Sequence, residues 1–159
     1  MKKNNLIFYY FRIFFAIFLV DRLTKLWALK NLVVTKIKLG SVLNLRLVFN
    51  RGVVWGLFGS SEKLGFIILT AIISFIIIFF SIYTFFEYRK KDNIFFNVLI
   101  LAGAFSNLLD RFIYASVIDF IDLHIKSWHW PVFNFADLFI FVGVVGVLGR
   151  YWYGNFKKT

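Results

Sequence analysis

Cysteine is absent from the 159 residues, so no disulfide, zinc–thiolate site or cysteine nucleophile can form. Histidine is nearly absent. His124 and His129 are the two, both in one Trp-rich stretch, whereas a metalloprotease needs a His pair on one helix turn beside a Glu. A serine hydrolase needs a serine with a positioned His and acid, and no serine here has that context. Proline occurs once, at Pro131. Acids are also few: Asp21, Glu62, Glu87, Asp92, Asp110, Asp119, Asp122 and Asp137.

What replaces them is apolar. The chain is 60% hydrophobic and 22% aromatic, with 23 phenylalanines and a mean hydropathy of +0.77. A water-soluble domain of this length could not hide that surface, so lipid must be the solvent for most of it. The net charge of +11 raises nucleic-acid binding. Here, however, the Lys and Arg residues sit between long apolar runs, as they would if meeting anionic headgroups. The partners expected are membrane lipids, not nucleic acid.

The fold class expected is an all-α membrane protein of four transmembrane helices, with a small extracytoplasmic β-cradle and an interfacial loop. The spans fall at about 6–29, 64–86, 94–112 and 137–153, within a single membrane-embedded domain covering 1–159. Each is long enough, or nearly so, for ~30 Å of hydrocarbon at ~1.5 Å per residue. Lys2 and Lys3 resemble the start of a secretory signal, but the run is too long and lacks a small-residue cleavage site. Val42 to Phe49 alternates, with Leu43, Leu45, Leu47 and Phe49 on one side, which is the period of a half-buried strand. Asn50-Arg51-Gly52 supplies a turn, and Val53 to Phe58 is expected to return as a second strand. Ser116 to Pro131, with Trp128 and Trp130, is expected as a loop at the interface. Charge alone leaves the orientation open: seven Lys or Arg flank the spans on the side of the termini and seven on the other.

The scarce acids carry the functional argument, since a carboxylate inside or beside an apolar span needs a reason. Asp21, Thr24 and Lys25 share a helix face, as a structural ion pair or as part of a site. Gly103, Asn107, Asp110 and Arg111 form one stripe on the third span, and small neighbours permit close helix approach. Packing does not explain an amide, an acid and a guanidinium in line. Asp137 heads the fourth span, where a helix N-cap is the plain reading. The plain reading of Asp119 is a solvated loop acid. Gly143, Gly146 and Gly149 read as a packing stripe. Asp119, Asp122 and His124 could hold a cation, though their spacing is unspecific; no metal or cofactor is expected. An ion or proton pathway using Asp21, Asp110 and Asp137 is the rival function.

Four stretches then resemble one family, the lipoprotein signal peptidases (signal peptidase II), which are bacterial membrane aspartyl proteases. They are Asp21-Arg22-Leu23-Thr24-Lys25; Phe49-Asn50-Arg51-Gly52-Val53-Val54-Trp55-Gly56; Gly103 to Arg111 running on through Val117-Ile118-Asp119-Phe120; and Phe133-Asn134-Phe135-Ala136-Asp137. All four occur in the family's order. The chain departs from it at Ala102, Ser106 and Ala115, where glycine is usual, and at Trp55, where Phe is commoner. The resemblance implies a catalytic pair, Asp119 and Asp137. It also implies a surrounding set in Asn50, Gly52, Asn107, Arg111 and Asn134, with Asp21 and Lys25 in support. It further implies cleavage of diacylglyceryl-modified prolipoprotein signal peptides just before the lipidated cysteine, and globomycin as an inhibitor. The location implied is the inner membrane, with cytoplasmic termini and a site near the outer face. The expected working unit is a monomer.

Overall fold

The computed structural model describes residues 3–52 and 62–156. The expected return strand at Val53–Phe58 lies outside them. Four long helices dominate: α1 (Lys3–Asn31), α2 (Glu62–Arg89), α3 (Phe95–Tyr114) and α4 (Phe135–Phe156). Three of them, α2, α3 and α4, are long and apolar enough to cross a membrane, with mean hydropathies of 2.8, 1.3 and 1.5. At 29 residues, α1 is about 43 Å long, but Arg12, Asp21, Arg22 and Lys25 dilute its apolar character.

α3 sits at the centre and packs against the other three helices. It approaches α4 closely because glycines line the contact. A Cβ on Gly103 would lie 2.5 Å from the Ala136 carbonyl oxygen, and one on Gly143 would lie 2.6 Å from Ile100. Gly146 presses on the Phe96 ring in the same way, whereas a Cβ on Gly149 would meet nothing within 4 Å. The expected stripe therefore packs through two of its three glycines. The lipid-facing sides carry exposed Phe75, Phe79, Phe112 and Phe141, which water would not tolerate in such density.

The segments between the helices form one antiparallel sheet in the order β1 (Ile37–Lys38), β2 (Leu43–Asn50), β3 (Val117–Ile125), β4 (Trp128–His129). The alternation read over Val42–Phe49 becomes β2. The stretch expected as an interfacial loop, Ser116–Pro131, is instead mostly β3 and β4. Paired with β2 through Asn50↔Val117 to Leu43↔Leu123, the backbone N–H and C=O groups of β3 are satisfied where no water reaches. An irregularity in the register between Leu45 and Val48 bends β2 opposite Phe120. Phe120 in turn packs with Ala28 of α1 and Leu32 just beyond its end, seating the sheet on the end of the helix bundle.

Candidate active site

The start of α4 fixes one carboxylate. Asn134 is the N-cap, its Oδ1 accepting the Asp137 N–H at 3.0 Å, while Asp137 Oδ2 accepts the Asn134 N–H at 3.0 Å. This is a reciprocal capping box. Asp137 is therefore not the N-cap expected from the sequence but the third residue of the helix. Its other oxygen, Oδ1, accepts from Asn107 Nδ2 of α3 at 2.8 Å.

The second carboxylate comes from β3. Asp119 is not a solvated loop acid: it is only 1% exposed. Its Oδ1 accepts from Asn134 Nδ2 at 2.7 Å and its Oδ2 from Asn50 Nδ2 at 2.9 Å. Each of the four carboxylate oxygens thus accepts one N–H from a neutral amide, and Asn134 serves both aspartates. Burial pushes the Asp119 carboxyl up to about 7; the Asn50 and Asn134 hydrogen bonds oppose the shift, and the neighbouring charge of Asp137 adds to it. The two aspartates line a cleft of about 220 Å³ with Asn50, Asn107 and Arg111.

Beneath them lies a charged core. Lys25 Nζ, fully buried, contacts Asp21 Oδ2 and Asp110 Oδ2 at 2.8 Å each and Asn107 Oδ1 at 2.7 Å. Three acceptors use up the three donors of an ammonium. Because Asn107 Oδ1 faces Lys25, its Nδ2 is left for Asp137. The two acids of this core also grip backbone. Asp21 Oδ1 accepts the Ala136 N–H at 2.8 Å, and Asp110 Oδ2 accepts the Ile118 N–H at 3.2 Å. Each grip lies one residue before one of the cleft's two aspartates, so Lys25 yokes both supports together.

Arg111 lines the cleft, and Gly52 packs against it. Asn50 Oδ1 accepts the Gly52 N–H at 2.8 Å, and Gly52 has φ +67°, so the turn aims the Asn50 amide at Asp119. A Cβ on Gly52 would lie 2.8 Å from Leu69 and 3.0 Å from Arg111 Nη2. The Arg111 guanidinium lies over the Phe66 ring, 5.5 Å from its centroid.

The nine residues that the resemblance implies are therefore brought together: Asp119 and Asp137 in the cleft, Asn50, Asn107 and Asn134 on their oxygens, Arg111 in the wall with Gly52 against it, Asp21 and Lys25 beneath. Thr24 does not join; its hydroxyl bonds back to the Val20 and Asp21 carbonyls. Two members were missed. Arg22 pairs with Asp110, and Ser106 Oγ donates to Asp21 Oδ2 at 2.6 Å. Arg22 lies inside one of the four matching stretches, and that placement was the available signal. The cation triple of Asp119, Asp122 and His124 is not assembled. Asp122 points to the other face of β3, where Arg46 Nε at 2.9 Å, His129 Nδ1 at 2.6 Å and Lys36 Nζ at 3.6 Å occupy its oxygens.

Comparison with known proteins converges on one family. The model for signal peptidase II matches residues 13–153. The chain is 40% identical to a lipoprotein signal peptidase of Pelagibacter ubique, over 100% of this chain and 98% of that one. It is 44% identical to one from Thermodesulfovibrio yellowstonii, over 91% and 92%. A bacterial membrane enzyme solved by the in meso method at 2.3 Å shares the fold, with a TM-score of 0.73 at 22% identity over 94% of this chain and 91% of that one.

Proposed function

The chain belongs to the signal peptidase II family, and from that premise and the cleft geometry we propose that it is an aspartyl endopeptidase. It removes signal peptides from diacylglyceryl-modified prolipoproteins, cutting just before the lipidated cysteine. α1 is the fourth span, its buried charges turned to α3 and its Phe8, Phe11 and Phe15 to lipid. The termini lie in the cytoplasm, and the cleft sits near the outer face of the bacterial inner membrane, at the end where the sheet caps the bundle.

The observation that carries this reading is the pairing of two carboxylates through neutral amides alone. Two such groups sharing one cleft cannot both ionise cheaply, so one proton is held between them. The ionised carboxylate takes a proton from a water molecule, and the protonated one polarises the scissile carbonyl. The shared proton belongs to the pair, and neither aspartate is assigned the acid role. Asn50, Asn107 and Asn134 hold both carboxylates in place before substrate arrives, so little reorganisation is needed.

The ion-pathway alternative is disfavoured by the same geometry. Asp21 and Asp110 are locked on Lys25, and their other oxygens are engaged by the Ala136 N–H and by Arg22. Cleavage of a diacylglyceryl prolipoprotein in detergent, read as a size shift on a gel, tests the proposal. Wild type cleaves; Asp119→Asn and Asp137→Asn, each checked for folding, lose at least ~10³-fold in rate. Cleavage persisting in both variants would remove the mechanism.

A further inference from the structure

Asp137 faces two hollows. One is the amide-lined cleft it shares with Asp119. The other, about 280 Å³, is walled by Leu123, Trp130, Phe133, Leu138 and Phe141 with Asp137 at its inner end. Its walls come from β3 and the segment between β4 and α4 on one side and from the first turns of α4 on the other. Phe141 and Leu138 are 67% and 39% exposed, so the hollow opens sideways onto the lipid-facing flank of a helix that reads as a span. Among the described residues, other apolar hollows lie beneath the sheet beside Trp27, about 440 Å³, and between α1 and α2 beside Tyr10, about 220 Å³. Neither has Asp119 or Asp137 in its wall.

We infer that this groove receives one acyl chain of the substrate's diacylglyceryl group; the inference rests on the peptidase reading above. The substrate carries its lipid on the residue next to the scissile bond. Two chemically different branches must therefore leave the reacting carboxylates in two directions. The amide-lined cleft suits the peptide, which needs hydrogen-bond partners. The second groove offers only Asp137 and the Trp130 indole among mostly apolar side chains, and suits hydrocarbon. Its size decides against the other apolar candidate, the helical part of the signal peptide. A helix about 10 Å across would fill 280 Å³ in less than one turn of ~5.4 Å. An extended methylene chain fits. Lipid is already as apolar as these walls, so the groove gives the chain direction and little affinity. It aligns the glyceryl-cysteine so that the preceding peptide bond lies at Asp137.

The test fills the groove. Leu138→Trp, and Leu123→Trp from the opposite wall in case the first does not fold, are assayed against two substrates, one with long acyl chains and one with dibutyryl chains too short to enter deeply. For the long-chain substrate, kcat/KM is expected to fall on the order of tenfold, the scale of forcing extra volume into occupied space. The short-chain substrate should be cut at nearly the wild-type rate. Equal losses on both substrates, or none on either, would overturn the assignment. A second readout is independent of turnover. A diazirine near the end of one acyl chain, bound to Asp119→Asn protein, is expected to crosslink to Leu123, Leu138 or Phe141. Crosslinks confined to the hollow beneath the sheet or between α1 and α2 would sink the groove alone. Wild type cleaving neither substrate would sink the peptidase reading with it.

Discussion

Asp119 and Asp122 stand three residues apart on one strand, and both are sealed from solvent, 1% and 0% exposed. Their carboxyls are nevertheless driven in opposite directions. Asp119, held only by asparagine amides, is pushed up by burial to about 7. For Asp122 burial also pushes upward, but hydrogen bonds from His129 and Arg46, with their charges, outweigh it and hold the carboxyl at about 2. The shield over Asp122 is thin as well: Lys36, Arg46 and His129 are each about two-fifths exposed. Burial alone does not mark a reactive acid. On the peptidase reading, what does is burial among partners that donate hydrogen bonds without supplying positive charge.

One substitution applied at both positions sharpens the contrast most. Asp119→Asn should abolish cleavage, while Asp122→Asn, on the far face of the strand, should leave the rate of the folded enzyme near that of wild type. Their effects on stability should differ in the sign of the pH dependence. The folded Asp119 holds a proton that the unfolded chain releases near pH ~3.9. Stability from this group is therefore present at low pH and lost as pH rises from about 4 through 7. Asp122 does the reverse: its contribution is full above about 4 and lost as pH falls toward 2. Thermal unfolding in detergent across pH should lose the first limb in Asp119→Asn and the second in Asp122→Asn. Two identical profiles would mean that the partners do not set the difference.

A larger disruption of the fold, though a smaller one of chemistry, should come from Lys25. Lys25→Met leaves Asp21 and Asp110 without their shared ammonium, both at 0% exposure. Breaking such a buried pair destabilises by about 3–5 kcal/mol, visible as a large drop in Tm. Because these acids hold the backbone at Ala136 and Ile118, the protein that remains folded should also cleave more slowly. Full activity per folded molecule would show the core to be scaffolding only.

Much of this was legible in the sequence, for reasons that differ by element. The helices announce themselves through long apolar runs, and β2 through strict alternation at Leu43, Leu45 and Leu47. The aspartate pair was legible through four matching stretches, not through spacing, since Asp119 and Asp137 lie 18 residues apart on different elements. β3 was not legible. Val117 to Ile125 is mixed because its faces serve different purposes: Asp119 turns to the cleft, Phe120 to α1, and Asp122 to a ring of cations. A strand whose polar residues are all engaged inside the protein shows no alternation against water. Arg22 was missed because an arginine in an apolar run reads as a snorkelling charge until Asp110 is seen beside it.

The finest test of the contrast alters one hydrogen bond to Asp119. Asn50 Nδ2 donates to Oδ2, favouring the ionised form, so Asn50→Ala should raise the carboxyl further and move the pH–rate limb near 7 to higher pH. A full hydrogen bond to a charged group is worth ~1.5–3 kcal/mol, or about 1–2 pH units. Asn50 is exposed, so water takes the vacated position and a shift below about one unit is expected. Asn50 also anchors the turn through Gly52, and loosening it would lower the rate without moving the limb. Asn50→Asp separates the two effects. It keeps an acceptor for the Gly52 N–H but replaces the donor with a like charge, so the limb should move in the same direction and further than in Asn50→Ala. If both variants lose rate with the limb unmoved, Asn50 acts through the turn, and the charge state of Asp119 is set by burial and Asn134 alone.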